Sequence, residues 1–169
     1  MEPETSPPSG QRPEGETDAA ARSPIDIAII DPRWRRHVAS PERLIRRTLA
    51  LADSRASVIL ADDATVRRLN ARDRGRNKPT NVLTYQSPPE IILALGTILR
   101  EADAAGRPPA HHLAHLVLHG ALHLAGHDHH HPGDAIRMER TETRLLARIG
   151  VPNPWKNNTC KHLSGSLTP

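Results

Sequence analysis

Apolar residues are concentrated in four short runs that predict β-strands. The first run alternates apolar and polar residues until Asp31 and Pro32 interrupt it. The polar loop DRGRNKPT (73–80) precedes the third run, and QSPPE (86–90) follows it. The four predicted strands are IDIAII (25–30), ASVILA (56–61), NVLTY (81–85) and IILALGTIL (91–99).

Four further segments have the composition and end signals of helices. Ser40, followed by proline, is typical of an N-cap, and Asp62 or Asp63 can cap the next helix. Gly126 follows the third segment as a helix terminator. The predicted helices are PERLIRRTLALAD (41–53), ATVRRLNAR (64–72), AHHLAHLVLHGALHLA (110–125) and GDAIRMERTETRLLARI (133–149). Helices interleaved with four strands predict a layered α/β or α+β domain.

The chain of 169 residues has the length of one domain with two tails. Residues 1–24 are acidic, rich in proline and poor in apolar residues, so we predict a disordered tail there. Residues 25–151 form the predicted domain, and 152–169 a flexible C-terminal tail. Cys160 is the single cysteine, which excludes an internal disulfide and a cysteine-cluster metal site. Without a membrane-length apolar run or a secretory signal, the prediction is a cytoplasmic protein that makes no contact with a membrane.

Charge and aromatic content narrow the possible partners. The sequence contains 2% aromatic residues and no Phe, which disfavours folds that bind RNA by base stacking. The formal net charge is +4, although residues 1–24 carry five acidic against two basic residues. The remainder is therefore strongly basic, and most of its cations are arginine. This pattern is typical of a polyanion-binding protein, and equally of a solvated arginine-rich surface.

Histidine is the unusual residue of this chain, with 11 copies, most of them between positions 111 and 131. In the third predicted helix, histidines recur every four residues and form one polar stripe on an otherwise apolar helix. The stripe consists of His111, His115, His119 and His123. Two imidazoles four residues apart on a helix can bind one metal ion, but the stripe contains three such pairs.

A third histidine selects among these pairs. Gly126 ends the helix, so the chain can return towards it and bring in another ligand. The spacing H-x3-H-x5-H fits only His119, His123 and His129. Three protein ligands with one open position are typical of a catalytic zinc site. The sequence therefore predicts one Zn²⁺ per chain.

Other histidines near this stripe have a simpler interpretation. We interpret His111, His112, His130 and His131 as hydrogen-bonded core or surface residues.

The residue at position 120 bears on the class of enzyme, because H-E-x-x-H zinc proteases have a glutamate directly after the first histidine. Gly120 in that place argues against a peptidase of this type.

The segments HGALHLAGHDH (119–129) and RGRNKPTNVLTY (74–85) resemble two motifs of the YbeY family of rRNA maturation factors. The family motifs read H-G-x-L-H-L-x-G-[YH]-D-H and R-x-K-D-K-P-T-[DN]-V-L-S-F. The resemblance implies an α+β fold, with a small mixed four-stranded sheet packed with helices and a zincin-like metal helix across it. It also implies metal-dependent endoribonuclease activity on single-stranded RNA.

Site residues are carried over position by position. The resemblance implies that His119, His123 and His129 bind zinc and that Arg74 is the essential arginine near the metal. Thr97 replaces the acidic residue of the family's L-G-D.

Several neighbouring residues are weaker candidates. Arg76 and Lys78 are candidate phosphate-binding residues. Asp128 either orients a ligand imidazole or stabilises its turn. His127 and His115 are candidate proton shuttles.

The expected function is a zinc-dependent endoribonuclease that acts on rRNA in 16S rRNA 3′-end maturation and ribosome quality control, with the ribosomal subunit as a partner. An open metal site beside a guanidinium suits phosphodiester hydrolysis. One alternative is an assembly factor for the ribosome in which zinc is structural and RNA is not cleaved. Another is a metal-dependent hydrolase with a different substrate.

Overall fold

The computed structural model describes residues 25–127 and 132–156. Within them, four strands and six helices follow one another along the chain. They are β1 (Ile27–Ile29), α1 (Trp34–His37), α2 (Pro41–Leu51), β2 (Ser57–Ala61), α3 (Asp63–Arg74), β3 (Val82–Gln86), β4 (Pro89–Ala94), α4 (Leu95–Ala104), α5 (Pro109–Leu124) and α6 (Pro132–Ala147). The tails predicted for 1–24 and for most of 152–169 lie outside the described residues.

The strands form one mixed sheet in the order β1-β2-β4-β3. Strands β1, β2 and β4 are parallel, whereas β3 runs antiparallel to β4 at the edge of the sheet. Parallel neighbours require a crossover, and α1 with α2, and then α3, provide the two crossovers. The prediction of an α+β fold with a four-stranded mixed sheet is confirmed.

Helices cover both faces of the sheet. Ile91 and Leu93 of β4 pack in the core that α2, α4 and α5 share, whereas Ile92 of the same strand packs with Val66 of α3. This alternation follows from the two-residue side-chain period of a strand. Helix α6 packs on the far side of α5, where Met138 and Leu146 join a separate apolar cluster. Helix α5 therefore lies between the sheet and α6.

The predicted strand 91–99 is wrong in its second half. Strand β4 ends at Ala94, and LGTIL opens helix α4. A short continuous apolar run does not distinguish a buried strand from a buried helix segment. Leu95 and Ile98, one helical turn apart, are both buried, so tertiary packing on this face decided the helix.

The predicted loop 73–80 is wrong at its start. Helix α3 continues to Arg74, and Gly75 follows in the left-handed conformation with φ +66°. Glycine adopts this conformation at little cost and ends the helix. Arg74 therefore projects from the last turn of a helix rather than from a flexible loop.

The predicted burial of the histidine helix is confirmed, since ten of its sixteen residues are buried. Asp62 caps α3 as predicted, because its side chain accepts a hydrogen bond from the Thr65 amide at 2.6 Å. Ser40 precedes α2 as predicted, but its side chain makes no capping bond. Among the described residues, no helix has both the length and the apolar character that crossing a bilayer requires.

The last described segment, residues 151–156, contacts the domain. The Arg107 guanidinium donates to the Pro154 carbonyl oxygen at 2.7 Å. The Trp155 ring makes an edge contact with the His115 ring, with centroids 5.3 Å apart. These contacts bring a tryptophan from beyond α6 to the middle of α5.

Candidate metal centre

Two of the three predicted ligands lie side by side at the C-terminal end of α5. His119 and His123 are one turn apart, and their Nε2 atoms are 3.1 Å from each other. Their rings are nearly perpendicular, with centroids at 4.5 Å. The helix therefore directs one nitrogen of each ring to the same point.

This separation fits a shared metal ion. With zinc–nitrogen bonds of about 2.0–2.1 Å in a tetrahedral site, two ligand nitrogens lie about 3.3 Å apart. The Nε2 atoms of His119 and His123 need to move by only a few tenths of an ångström to reach that spacing. Imidazole nitrogen is also a ligand that zinc prefers.

The third predicted ligand, His129, lies outside the described residues, as does Asp128. Within residues 25–127 and 132–156, no group of three histidine, cysteine or acidic side chains is placed to hold a metal ion. The structure thus brings together His119 and His123 and does not describe the remainder of the predicted triplet.

Glu142 of α6 is the site residue that the sequence analysis missed. Its side chain is fully buried, and its Oε1 lies 2.7 Å from His119 Nδ1. Its Oε2 lies 3.2 Å from His115 Nε2 and accepts a hydrogen bond from the Trp155 indole N–H at 3.1 Å. Burial raises the pKa of Glu142, but the hydrogen bonds from His115 and His119 outweigh it and bring the pKa to about 2.

A sequence signal for Glu142 exists in hindsight. The residue lies four positions after Met138 and four before Leu146, both of which are buried. Residues four apart share one face of a helix, so Glu142 interrupts the apolar face of α6. A carboxylate in such a position has to be paired, and histidines are its natural partners in this chain.

Gly120 has a structural reason to lack a side chain. A Cβ atom there would lie 3.1 Å from Thr84 Cγ2 and 3.2 Å from Ile91 Cδ1. Position 120 therefore faces the sheet, where α5 approaches β3 and β4 closely. A glutamate at this position would point into the core rather than towards the metal ligands.

Arg74 is hydrogen-bonded to strand β3, which also packs against Gly120. Its guanidinium donates to the Thr84 carbonyl oxygen at 3.0 Å, while the Thr84 side chain faces Gly120, the residue after His119. Strand β3 thus links the end of α3 to the histidine helix. A single edge strand places the predicted arginine and the predicted ligand in one region.

The other phosphate-binding candidates, Arg76 and Lys78, are exposed. Asn70, which is buried, fixes the backbone of this segment, since its amide donates to the Lys78 carbonyl oxygen at 2.8 Å. The segment after α3 is therefore held in place while its cations face solvent.

Two candidate proton shuttles differ in their access to solvent. His127 is exposed just after α5, whereas His115 is buried against Glu142 and Trp155. His115 Nδ1 is also buried and has no hydrogen-bond partner among the described residues. A buried N–H without a partner is costly, so the proton of His115 belongs on Nε2, facing Glu142.

Thr97 lies in the first turn of α4, where Asp63 supplies a carboxylate from the neighbouring helix. Asp63 accepts the Thr97 backbone N–H at 2.9 Å and pairs with Arg100 at 2.8 Å. A Cβ at Gly96 would lie 2.7 Å from Asp63 Oδ2, so glycine leaves room for this contact. Negative charge at the start of α4 comes from Asp63 instead of position 97.

His112 is a hydrogen-bonded core residue, as predicted. It is buried, and its Nε2 lies 2.9 Å from Glu101 Oε2. His111, one residue earlier, is only partly buried. His130 and His131 lie outside the described residues.

The model of the family described as Endoribonuclease YbeY matches residues 33–150 of this chain. The chain belongs to this family. An Endoribonuclease YbeY from Gluconobacter oxydans (strain 621H) is 50% identical over 146 residues, covering 78% of this chain and 87% of that protein. One from Bradyrhizobium diazoefficiens is 37% identical over 161 residues, covering 81% and 87%. The resemblance found in the two sequence motifs is confirmed.

A solved structure supports the fold of this YbeY family member independently. The solution structure of TM1509 from Thermotoga maritima matches with a TM-score of 0.53 over 85% of this chain and 97% of that chain. The two sequences are 20% identical, so the match concerns the arrangement of helices and strands alone.

Proposed function

We propose that this protein is a zinc-dependent endoribonuclease, with one ion per chain, that cleaves single-stranded RNA in the cytoplasm. Its proposed roles are 16S rRNA 3′-end maturation and ribosome quality control, in association with a ribosomal subunit. The endoribonuclease class follows from membership of the YbeY family. The observation that carries the metal proposal is the 3.1 Å separation of His119 Nε2 and His123 Nε2 beside a buried carboxylate.

In this proposal the ion is held by His119, His123 and His129. A bound divalent cation supplies Lewis-acid polarisation at the scissile phosphodiester. The Glu142 carboxylate contacts His119 Nδ1. This contact favours a proton on Nδ1 and leaves Nε2 as the metal-binding atom. The ligand geometry therefore depends on α6 as well as on α5.

Arg74 is proposed to bind the phosphate. One of its N–H groups donates to the Thr84 carbonyl oxygen, and a guanidinium carries five donors, so others remain for phosphate oxygens. Arginine is suited to this task because its planar donors match two phosphate oxygens at once. The exposed cations Arg76 and Lys78 extend the positive surface along the RNA strand.

The test is cleavage of end-labelled single-stranded and double-stranded RNA of the same sequence by zinc-loaded protein. We expect cleavage of the single strand by wild type and background-level cleavage by His119→Ala and Arg74→Ala. The matched control is Arg67→Ala, because Arg67 is exposed and lies about two turns earlier on the same face of α3. Cleavage that persists in both site variants, with the fold retained by circular dichroism, would contradict the proposal.

The same preparations separate the alternatives. A ribosome-assembly factor with structural zinc would turn over no RNA at any metal concentration, and His119→Ala would lower its melting temperature. A hydrolase with another substrate would bind zinc through His119, but even its wild type would cleave neither RNA substrate. Elemental analysis of the purified wild type should give one zinc per chain.

A further inference from the structure

Glu142 stands out because three side chains, two from α5 and one from the segment after α6, converge on its buried carboxylate. His119 and His115 approach it from α5, at 2.7 and 3.2 Å, and Trp155 approaches from the segment after α6, at 3.1 Å. The exposed fraction of the Glu142 side chain is 0%. Burial of a carboxylate is costly unless every hydrogen bond it needs is present, so the three donors stabilise its charged form.

The two oxygens of Glu142 have different partners. Oε2 receives the indole N–H of Trp155, which can only donate, and the Nε2 proton of His115. Oε1 is left for His119 alone. Since an ionised carboxylate only accepts hydrogen bonds, His119 Nδ1 has to carry the proton in this contact.

We propose that Glu142 is a positioning residue that fixes His119 as the Nδ1–H tautomer, with Trp155 holding the carboxylate in place. The tautomer matters because imidazole binds a metal ion through an unprotonated nitrogen, here Nε2. The inference rests on the proposed metal centre for its consequence, but the tautomer itself is a property of the metal-free protein. Trp155, from beyond α6, thereby takes part in the organisation of the site.

The isosteric variant Glu142→Gln tests this directly. Trp155 and His115 both donate at the position of Oε2, so the amide oxygen of glutamine belongs there and its NH₂ group faces His119 Nδ1. An NH₂ group can only donate, so His119 is expected to accept at Nδ1 and to carry its proton on Nε2. The volume of the side chain is retained, while the tautomer of His119 is reversed.

The first measurement is the nitrogen-15 NMR spectrum of the histidine rings in the metal-free, full-length protein. We expect His119 to be the Nδ1–H tautomer in wild type and the Nε2–H tautomer in Glu142→Gln. The second is the dissociation constant for Zn²⁺ alone, which should be about tenfold to a hundredfold weaker in Glu142→Gln. A purely structural role for Glu142 would change the melting temperature without reversing the tautomer.

The matched control is Glu101→Gln, because Glu101 also makes a carboxylate contact with a histidine of the same helix, His112, but away from the proposed ligands. We expect zinc affinity and the His119 tautomer to be unchanged in this variant. Trp155→Phe removes the indole N–H and is the milder variant in case Glu142→Gln does not fold. It should weaken zinc binding by a few-fold while His119 keeps its Nδ1 proton.

Two results would overturn the inference: an Nε2–H tautomer of His119 in wild type, or wild-type zinc affinity in folded Glu142→Gln. The proposed metal centre would be contradicted separately if the His119→Ala variant bound zinc as tightly as wild type does. In that case the role of Glu142 is decided by the tautomer of His119 alone, compared between wild type and Glu142→Gln.

Discussion

Two of the histidine–carboxylate pairs on helix α5, about two turns apart, differ in which ring nitrogen is bound. His112 meets Glu101 through Nε2 at 2.9 Å, whereas His119 meets Glu142 through Nδ1 at 2.7 Å. In the first pair the nitrogen that remains is buried and has no partner among the described residues. In the second it lies 3.1 Å from His123 Nε2. The bound nitrogen therefore decides whether a histidine supports the core or presents a ligand atom.

The carboxylates differ as well. The Glu101 side chain is 40% exposed and also receives the Asn81 amide at 3.0 Å. The Glu142 side chain is fully buried and receives donors from its histidines and Trp155. Water can replace a lost partner of Glu101, but it does not reach Glu142 in the folded protein. Loss of one partner is therefore expected to destabilise the protein more in the His119–Glu142 pair than in the His112–Glu101 pair.

The largest expected effect is a difference in RNA cleavage between variants of His119 and of His112. His119→Ala should reduce RNA cleavage to background, because it removes a proposed metal ligand. His112→Ala should retain cleavage within about threefold and lose about 1–3 kcal/mol of unfolding free energy, since it removes a buried hydrogen-bonding partner. Cleavage rates and urea denaturation of both variants test this. If folded His112→Ala were as inactive as His119→Ala, the distinction between the two pairs would be wrong.

Next in size is the effect of removing each carboxylate on stability. Glu142→Ala should lower the unfolding free energy of the metal-free protein by about 3–5 kcal/mol, because buried donors lose their acceptor. Glu101→Ala should cost about 1 kcal/mol or less, since water can solvate the groups left behind. Urea denaturation monitored by circular dichroism provides both values. Equal losses in the two variants would show that burial does not distinguish the carboxylates.

A smaller effect is expected in the pH dependence of stability. The pKa of Glu142 is about 2 in the folded protein, below its ordinary value near 4.5. A lowered pKa stabilises the fold fully above the unfolded value, and this stabilisation is lost as the pH falls from about 4.5 to about 2. Urea denaturation of the metal-free protein over this pH range should show the loss. Glu142→Gln should flatten this part of the profile, and a profile identical to wild type would contradict the assignment.

The smallest expected effect concerns a third carboxylate, which is exposed. The Tyr85 hydroxyl donates to Asp73 Oδ2 at 2.7 Å; desolvation and this hydrogen bond raise the pKa of Tyr85 to about 12. Asp73→Asn should move the Tyr85 pKa towards 10 and change the unfolding free energy little, because the pair is on the surface. The chain has one tyrosine, so ultraviolet absorbance reports this titration alone. A midpoint near 10 in folded wild type would exclude the contact.

Hydrophobic patterning predicted most of the helices and strands because the two periodicities are strong where an element has one buried face. It failed at 95–99, where an apolar run passes from β4 into α4, since a buried strand and a buried helix segment are equally apolar. It also ended α3 before Arg74. Charged residues are common both in the last turn of a helix and in loops, so composition did not locate the end of α3.

For the candidate site, the sequence by itself determined the i, i+4 pair His119 and His123, because helical spacing alone places both rings on one face. It also determined family membership through two long motifs. Only the tertiary structure decided that Glu142 contacts His119 and accepts a hydrogen bond from Trp155. It also decided that Arg74 donates to a carbonyl oxygen of β3, the strand that packs against α5. These contacts join residues far apart in the chain, and such partners follow from how α5 packs between the sheet and α6 rather than from any local pattern.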